Sequence, residues 1–213
     1  PLAFGNAQRD DVPDPLKVRQ VLDERCPYMV FLATPHIERL SDRDMYRLCF
    51  ADPPGHGDPV SQRFLDNFRR DNCYDRFWHM SDVAGSTRYL CSGHGFCVLG
   101  SSKTDGNFFT NVVQIHFRSQ YFRLGLLVHF QHACLVQAQN WLAQRLPTLR
   151  GKAEPAIVAR NVLQNILSFV GPDWLKTASN QLQARELVAL WQKQLGILET
   201  HREVRDTASD IYE

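Results

Sequence analysis

The rhythm of hydrophobic and polar positions changes once along the chain. Up to about residue 106, short apolar or alternating runs are separated by strong punctuation. CPYMVFLATP (26–35) and MYRLCFAD (45–52), each bounded by proline or aspartate, carry the pattern of strands. DPPGHGDP (52–59) is so rich in Pro and Gly that only a loop fits it. SQRFLDNFRRD then places Phe64, Leu65 and Phe68 on one face of a helix behind Ser61, a side chain suited to cap its first turn, and the aromatic cluster Tyr74, Phe77 and Trp78 follows. RYLCSGHGFCVLGS (88–101) predicts a hairpin with Gly93, His94 and Gly95 at its tip.

Beyond residue 106 the period lengthens. From Asn107 to Leu146 there is no proline and a single glycine, and apolar residues recur at helical spacing from Phe109 through Val113, Leu124 and Val128 to Leu135 and Leu142. At about 1.5 Å per residue, an unbroken helix over this stretch is roughly 50–60 Å long. PTLRGKAEP (147–155) reads as a linker, followed by a helix over 156–169, a break at Gly171 and Pro172, and helical signal from about Ser179 onward. In that last stretch Leu190, Ile197, Val204 and Ile211 are seven apart, with Leu187, Gln194, His201 and Ala208 at the alternate positions. This half-polar seam predicts a helix that meets its neighbours loosely, unless Gly196 splits it in two. The terminal ETHREVRDTASDIYE (199–213) has no Gly, Asn or Pro stop, and the chain opens on Pro1 without an initiator methionine, so the expectation is a piece of a longer protein.

Two portions of one domain follow from this pattern, an α/β portion over 1–106 and a long-helix portion over 107–213. The expected fold class is α+β or α/β: a mixed sheet with short helices, then long packed helices. With 213 residues, 44% hydrophobic and 22% charged, the composition is that of an ordinary globular chain. A net charge of +1 and the lack of a long Lys/Arg run argue against nucleic acid as a partner. Six cysteines are too sparse for a disulfide scaffold and suit free thiols in a reducing compartment. The most apolar stretch, residues 124–144, contains two His, four Gln and one Asn, which predicts a helix packed on protein and not a bilayer span.

Candidate chemistry concentrates in two places. His129 and His132 share one face of the long helix, with Cys134 nearby, and could begin a metal site, whereas His116 lies about 20 Å along the axis on another side. Hydrogen-bonded structural histidines are the alternative. In CSGHGFC, Cys91 and Cys97 flank the tip symmetrically and are expected to face each other across the two strands as a thiol pair. The glycines there follow GxGxxxxG, not the GxGxxG of dinucleotide loops. Cys73 with His79 is the remaining nucleophile pair, without a motif around it. Glu199, Glu203, Asp206, Asp210 and Glu213 fall mainly on the face away from the seam, as a solvated face or as ligands of a weakly held divalent cation.

The segments YDRFWHMSDVAGSTRYLCSGHGFCVLG (74–100), HFRSQYFRLGLLVHFQHA (116–133) and SNQLQARELVALWQKQLG (179–196) together resemble the soluble portion of bacterial CorA-like divalent-cation transporters. The resemblance spans about residues 30–213. It implies a cytoplasmic α/β domain at the inner membrane, a stalk helix running into two membrane helices, and a homopentamer that carries Mg²⁺ or Co²⁺. It also implies regulation without catalysis, no tightly bound cofactor, and Mg²⁺ or another divalent cation held between subunits by acidic stalk residues, with Asp206 and Asp210 as the positions to test. The family's pore signature, Gly-Met-Asn, is absent, as a chain ending before the membrane requires. A helical adaptor binding another protein through an exposed seam is the alternative, and an enzyme using Cys73, His79 or the hairpin thiols a third.

Overall fold

The computed structural model describes residues 26–53, 60–79, 86–103, 108–149 and 181–209, together with 157, 161, 163, 164, 167 and 168. Four strands, β1 (Tyr28–Thr34), β2 (Cys73–Phe77), β3 (Thr87–Cys91) and β4 (Gly95–Ser101), form one mixed sheet in the order β1-β4-β3-β2. β1 runs parallel to β4, while β3 is antiparallel to both of its neighbours, β2 and β4. Helices α1 (Asp42–Phe50) and α2 (Gln62–Asn72) lie on one face of the sheet. The long helix α3 (108–149), α4 (Leu182–Gln194) and α5 (Ile197–Ser209) lie on the other. Covered on both sides, β3 and β4 are buried along their whole length, which is why their sequence is a nearly continuous apolar run.

Alternation along these strands divides the core in two. Tyr89, Cys91, Phe96 and Val98 face α3 and α4, whereas Leu90, Cys97 and Leu99 face α1 and α2. The cysteines of CSGHGFC therefore do not face each other. The tip is a two-residue turn, Gly93–His94, closed by the Ser92 N–H donating to the Gly95 carbonyl at 2.9 Å, with Gly93 at a φ of 85°. A three-residue tip would have set Cys91 opposite Cys97; the shorter turn moves the register by one, so that Cys91 pairs with Phe96 and Leu90 with Cys97. One step in register sends the two thiols to opposite faces.

The segment expected as a second strand, 45–52, is instead the C-terminal part of α1 and the turn that ends it. Ser41 and Asp44 form a reciprocal capping box, with the Ser41 side chain accepting from the Asp44 N–H and the Asp44 carboxylate accepting from the Ser41 N–H at 2.9 Å. Met45 and Cys49, one turn apart, are the buried residues of the helix, and Ala51 closes it in the left-handed region at a φ of 50°. α2 starts at its expected cap, the Ser61 hydroxyl accepting from the Phe64 N–H, and buries Leu65 and Phe68 while Phe64 stays exposed.

α3 spans the predicted region and contains two wider, π-helical turns, Phe109–Val113 and Phe117–Tyr121. They turn Phe109 and Phe117 onto Phe31 of β1, with ring centroids at 4.5 and 5.6 Å. Where the 156–169 segment is described it is helical, and Leu163 and Leu167 are buried. The final seam is divided at Leu195 and Gly196, the latter at a φ of 63°, where α4 gives way to α5. Nor is the seam loose: Ile197, Val204 and Ala208 are buried in the same core cluster as Leu135, Ala138 and Leu142 of α3. Ile211 lies outside the described residues. The exposed apolar face is on α3 instead, through Phe108, Ile115, Phe122, Leu126 and Phe130.

One buried charge ties α1, β2 and β3 together. The Arg88 guanidinium, only 4% exposed, donates to both carboxylate oxygens of Asp75 at 2.7 and 2.6 Å and to Asp42 at 3.1 Å, and lies 5.0 Å from the Trp78 ring centroid. The guanidinium is buried although Asp75 is not, and removing a carboxylate partner of a buried charge costs more than replacing the charge by an apolar group. Asp75→Ala, which leaves the buried guanidinium only its bond to Asp42, is expected to cost about 2 kcal/mol, and Arg88→Met, which removes it, about 1 kcal/mol. Urea unfolding of the two variants measures this order, and the reverse order would contradict it.

Candidate functional site

The feature that brings distant parts of the chain together is Trp191, on α4 and 2% exposed. Its ring is stacked on Phe96 of β4 with centroids 4.5 Å apart and planes 9° apart. Its indole Nε1–H donates to the Gly93 carbonyl at the hairpin tip, 2.7 Å away. From α3, His129 presents its ring edge-on at 5.8 Å, and Gly125 lies so close that a Cβ there would come within 2.6 Å of the indole Cη2. The single glycine of the long helix is therefore where the indole needs room.

Polar contacts hold α4 in this position. The Gln192 amide donates to Gln131 of α3 at 2.9 Å inside the core, fixing how the two helices face each other. The Tyr74 hydroxyl donates to Glu186 at 2.6 Å, and Arg76 pairs with the same carboxylate at 2.8 Å. Lys193 meets Asp71 at 3.0 Å, and the Gln194 amide donates to the Asp71 carbonyl at 2.6 Å. Hydrogen bonds from Arg70 first, and then from Lys193, hold the Asp71 carboxyl down at about 2.

Beside the indole a half-open cavity of about 310 Å³ is lined by Pro27, Tyr28, Met29, Phe117, Phe122, Gly125, Leu126, His129 and Trp191. The start of β1, the second π-helical turn of α3, the helical turn after it and α4 supply these side chains. π-helical turns recur at functional sites because they are retained despite their cost in helix stability. Among the described residues that line it, none is charged. The Tyr28 hydroxyl is engaged, donating to the Cys49 carbonyl at 2.6 Å. The Nε2 atom of His129 is buried and has no hydrogen-bond partner among the described residues.

The predicted histidine candidates fall here in part. His129 stacks on His94 of the hairpin tip at 6.3 Å, and His132 is half-buried one turn further along α3. His116 is elsewhere, against Tyr121. Among the described residues, no group of three or more His, Cys, Asp or Glu side chains is placed to hold a metal ion. Asp206 is on the exposed side of α5, its carboxylate accepting from its neighbour Arg205 at 2.9 Å, and Asp210 lies outside the described residues. Burial pushes the thiols of Cys73, Cys91 and Cys97 up to about 12, so all three are protonated at neutral pH, when a nucleophilic cysteine must be a thiolate. The backbone N–H of His79 donates to Ser86 Oγ at 2.8 Å.

Neither Trp191 nor Arg88 stands out from residue spacing. A charge within the apolar run RYLC does signal a buried arginine, but its partners, 13 and 46 residues away, cannot be located from spacing. Among the described residues, no helix is long and apolar enough to cross a membrane. Comparison with protein-family models, with curated proteins and with solved structures gave no match.

The His129 site has a pH signature. Burial first, and then the neighbouring His94 and His132, lower its pKa from the ordinary 6.5 to about 4. Between those values the unfolded chain takes up a proton that the folded chain refuses, so this contribution is complete above pH 6.5 and is lost as pH falls toward 4. In urea titrations at pH 7, 5.5 and 4.5, the stability of the protein is expected to fall more steeply than that of His129→Gln. Equal slopes would show that His129 charges as freely in the fold as outside it.

Proposed function

We propose that the chain is the cytosolic regulatory portion of a CorA-like divalent-cation transporter, with no catalysis of its own. The observation that carries this reading is where the three resembling segments meet. Residues 74–100 supply the hairpin, 116–133 the part of α3 that contains Gly125 and His129, and 179–196 the helix that carries Trp191. Segments this far apart in sequence, packed about one indole, form the structural centre of the chain. The mixed sheet followed by long helices agrees with the architecture that the resemblance implies.

In this reading, Asp206 is an exposed ligand for a weakly held hard cation, completed by a neighbouring subunit. Because the apolar face of α5 is covered by α3, contacts between subunits use other surfaces. The exposed apolar stripe on α3 favours a second reading, a helical adaptor for another protein. Its binding surface is then this stripe and not the seam.

Thermal unfolding of the protein with Mg²⁺, Co²⁺ or Zn²⁺ separates the two readings. A sensing domain is expected to gain a few degrees at millimolar metal, because a ligand of the native state raises its stability, and Asp206→Asn is expected to lose most of the gain. No shift with any of the three ions would contradict cation sensing and leave the adaptor. For the membrane part, the parent transcript is expected to encode two apolar stretches of about 20 residues downstream of Glu213. A natural stop directly after that codon would contradict it.

A further inference from the structure

We propose that the open edge of β1 takes up an extended, apolar and acidic segment of another protein as a fifth strand, with one large apolar side chain in the cavity beside Trp191 and carboxylates on Arg118 and Arg123. The inference is independent of cation transport, because it rests on one sheet edge and the helix face beside it.

β1 and β2 are the outer strands of the sheet, and they are built differently. β2 carries Asp75 and Arg76, and its register shifts between Tyr74 and Phe77. Charges and bulges are the usual means by which an edge strand resists pairing with a further strand. β1 has neither: YMVFLAT contains no charge and no proline, and it pairs with β4 without a shift over its whole length. Among the described residues, no strand lies on its other side. Its residues are half-buried or exposed, where those of β3 and β4 are buried throughout.

The parallel ladder fixes which backbone groups point outward. The Tyr28 N–H donates to the His94 carbonyl at 2.9 Å, and the Thr34 carbonyl accepts from the Ser102 N–H at 3.0 Å, so the even-numbered residues of β1 face β4. Met29, Phe31 and Ala33 therefore direct their N–H and C=O groups away from the sheet. Another strand satisfies such a row and an acyl chain does not, which favours a polypeptide over a lipid surface.

α3 decides the chemistry. At the start of β1 the cavity of about 310 Å³ is bounded by Met29 on the strand and by Phe117, Phe122 and Leu126 on the helix, so an added strand passes its mouth and alternate side chains point toward it. Phe122 and Leu126 are 49% and 57% exposed, apolar surface that such a side chain covers. Arg118 and Arg123, each within a turn of these residues, are exposed, and among the described residues no carboxylate pairs with either. Residues 107–149 contain no Asp or Glu, so α3 has none of its own to offer. A second copy of the chain would bring the same uncharged strand and the same arginines to the contact, whereas an acidic segment answers them.

The probe is a fluorescein-labelled peptide, acetyl-Thr-Glu-Val-Phe-Val-Glu-Thr-amide, titrated with the full chain and followed by fluorescence anisotropy. It is expected to bind about fivefold more tightly than the version with glutamine for both glutamates, what two exposed ion pairs supply, and at least tenfold more tightly than the version with alanine for phenylalanine. Of two versions N-methylated on alternate residues, one is expected to lose binding and the other to keep it, because only one edge of the peptide faces β1. Ala33→Pro, which removes an outward N–H and leaves the ladder to β4 intact, is expected to weaken binding at least tenfold with little change in Tm. Arg118→Glu combined with Arg123→Glu, both on the surface, is expected to reverse the preference toward a peptide with lysine for both glutamates, a result that misfolding cannot produce. No saturable binding at millimolar peptide would overturn the proposal, as would equal binding of the glutamine version, of both N-methylated versions or by Ala33→Pro. Without peptide binding, a dimer that Ala33→Pro abolishes would assign the edge to a second copy, and binding to phosphatidylserine vesicles would assign the face to lipid; either overturns it too.

Discussion

The hydrogen bond from the Trp191 indole to the Gly93 carbonyl, made while the same ring stacks on Phe96, is the constraint on which the arrangement of the two halves depends. A hairpin tip is normally solvated, and a carbonyl buried there without a donor is costly. Here the donor comes from a helix nearly a hundred residues away. Because the indole must reach the tip, α4 has to lie across the sheet, and because α4 lies there, α3 must bring a residue without a side chain to the crossing. Gly125 is that residue, and the polar pairs of α4 with α2, β2 and α3 surround the same point.

The opposite face obeys a different rule. There the organising element is charge: Arg88 is held by Asp75 and Asp42 beneath Trp78, whereas the side of the sheet that faces α3 and α4 has aromatic rings. A sheet covered on both sides requires nearly every position of β3 and β4 to be apolar, and Arg88 is tolerated because its donors are satisfied by two carboxylates and its stem lies among apolar neighbours. The cavity sits on the aromatic side, at the edge where the indole, the π-helical turn and the start of β1 leave a gap that none of the three fills.

Much of this is legible in the sequence where the period is long or the cap is local. The 40-residue proline-free stretch announced α3, Ser61 announced α2, and the division of the last helix at Gly196 was one of the two outcomes its pattern allowed. Failures came where a short run fits two periods. MYRLCFAD alternates well enough for a strand, but the Ser41–Asp44 capping box just before it decides for a helix. Cys91 and Cys97 were misplaced by one residue of turn length, which reverses faces. The seam through Ile197, Val204 and Ala208 reads as half-polar and loosely packed, and its pattern does not disclose that α3 of the same chain covers it. For the candidate site, His129 was visible as a residue of interest, while its cavity depends on Trp191, Phe117 and Tyr28, which only the fold brings together.

That the indole joins sheet and helices into one cooperative unit is tested most directly by native-state hydrogen exchange in increasing urea. The amides of β4 between Phe96 and Leu99 and those of α3 between Leu124 and Val128 are expected to converge on one opening free energy, equal to that of global unfolding, in the native protein. In Trp191→Phe, which keeps a ring but loses the bond to Gly93, the two sets are expected to separate. Independent opening of α3 in the native protein, or unchanged convergence in the variant, would contradict the central place given to this contact.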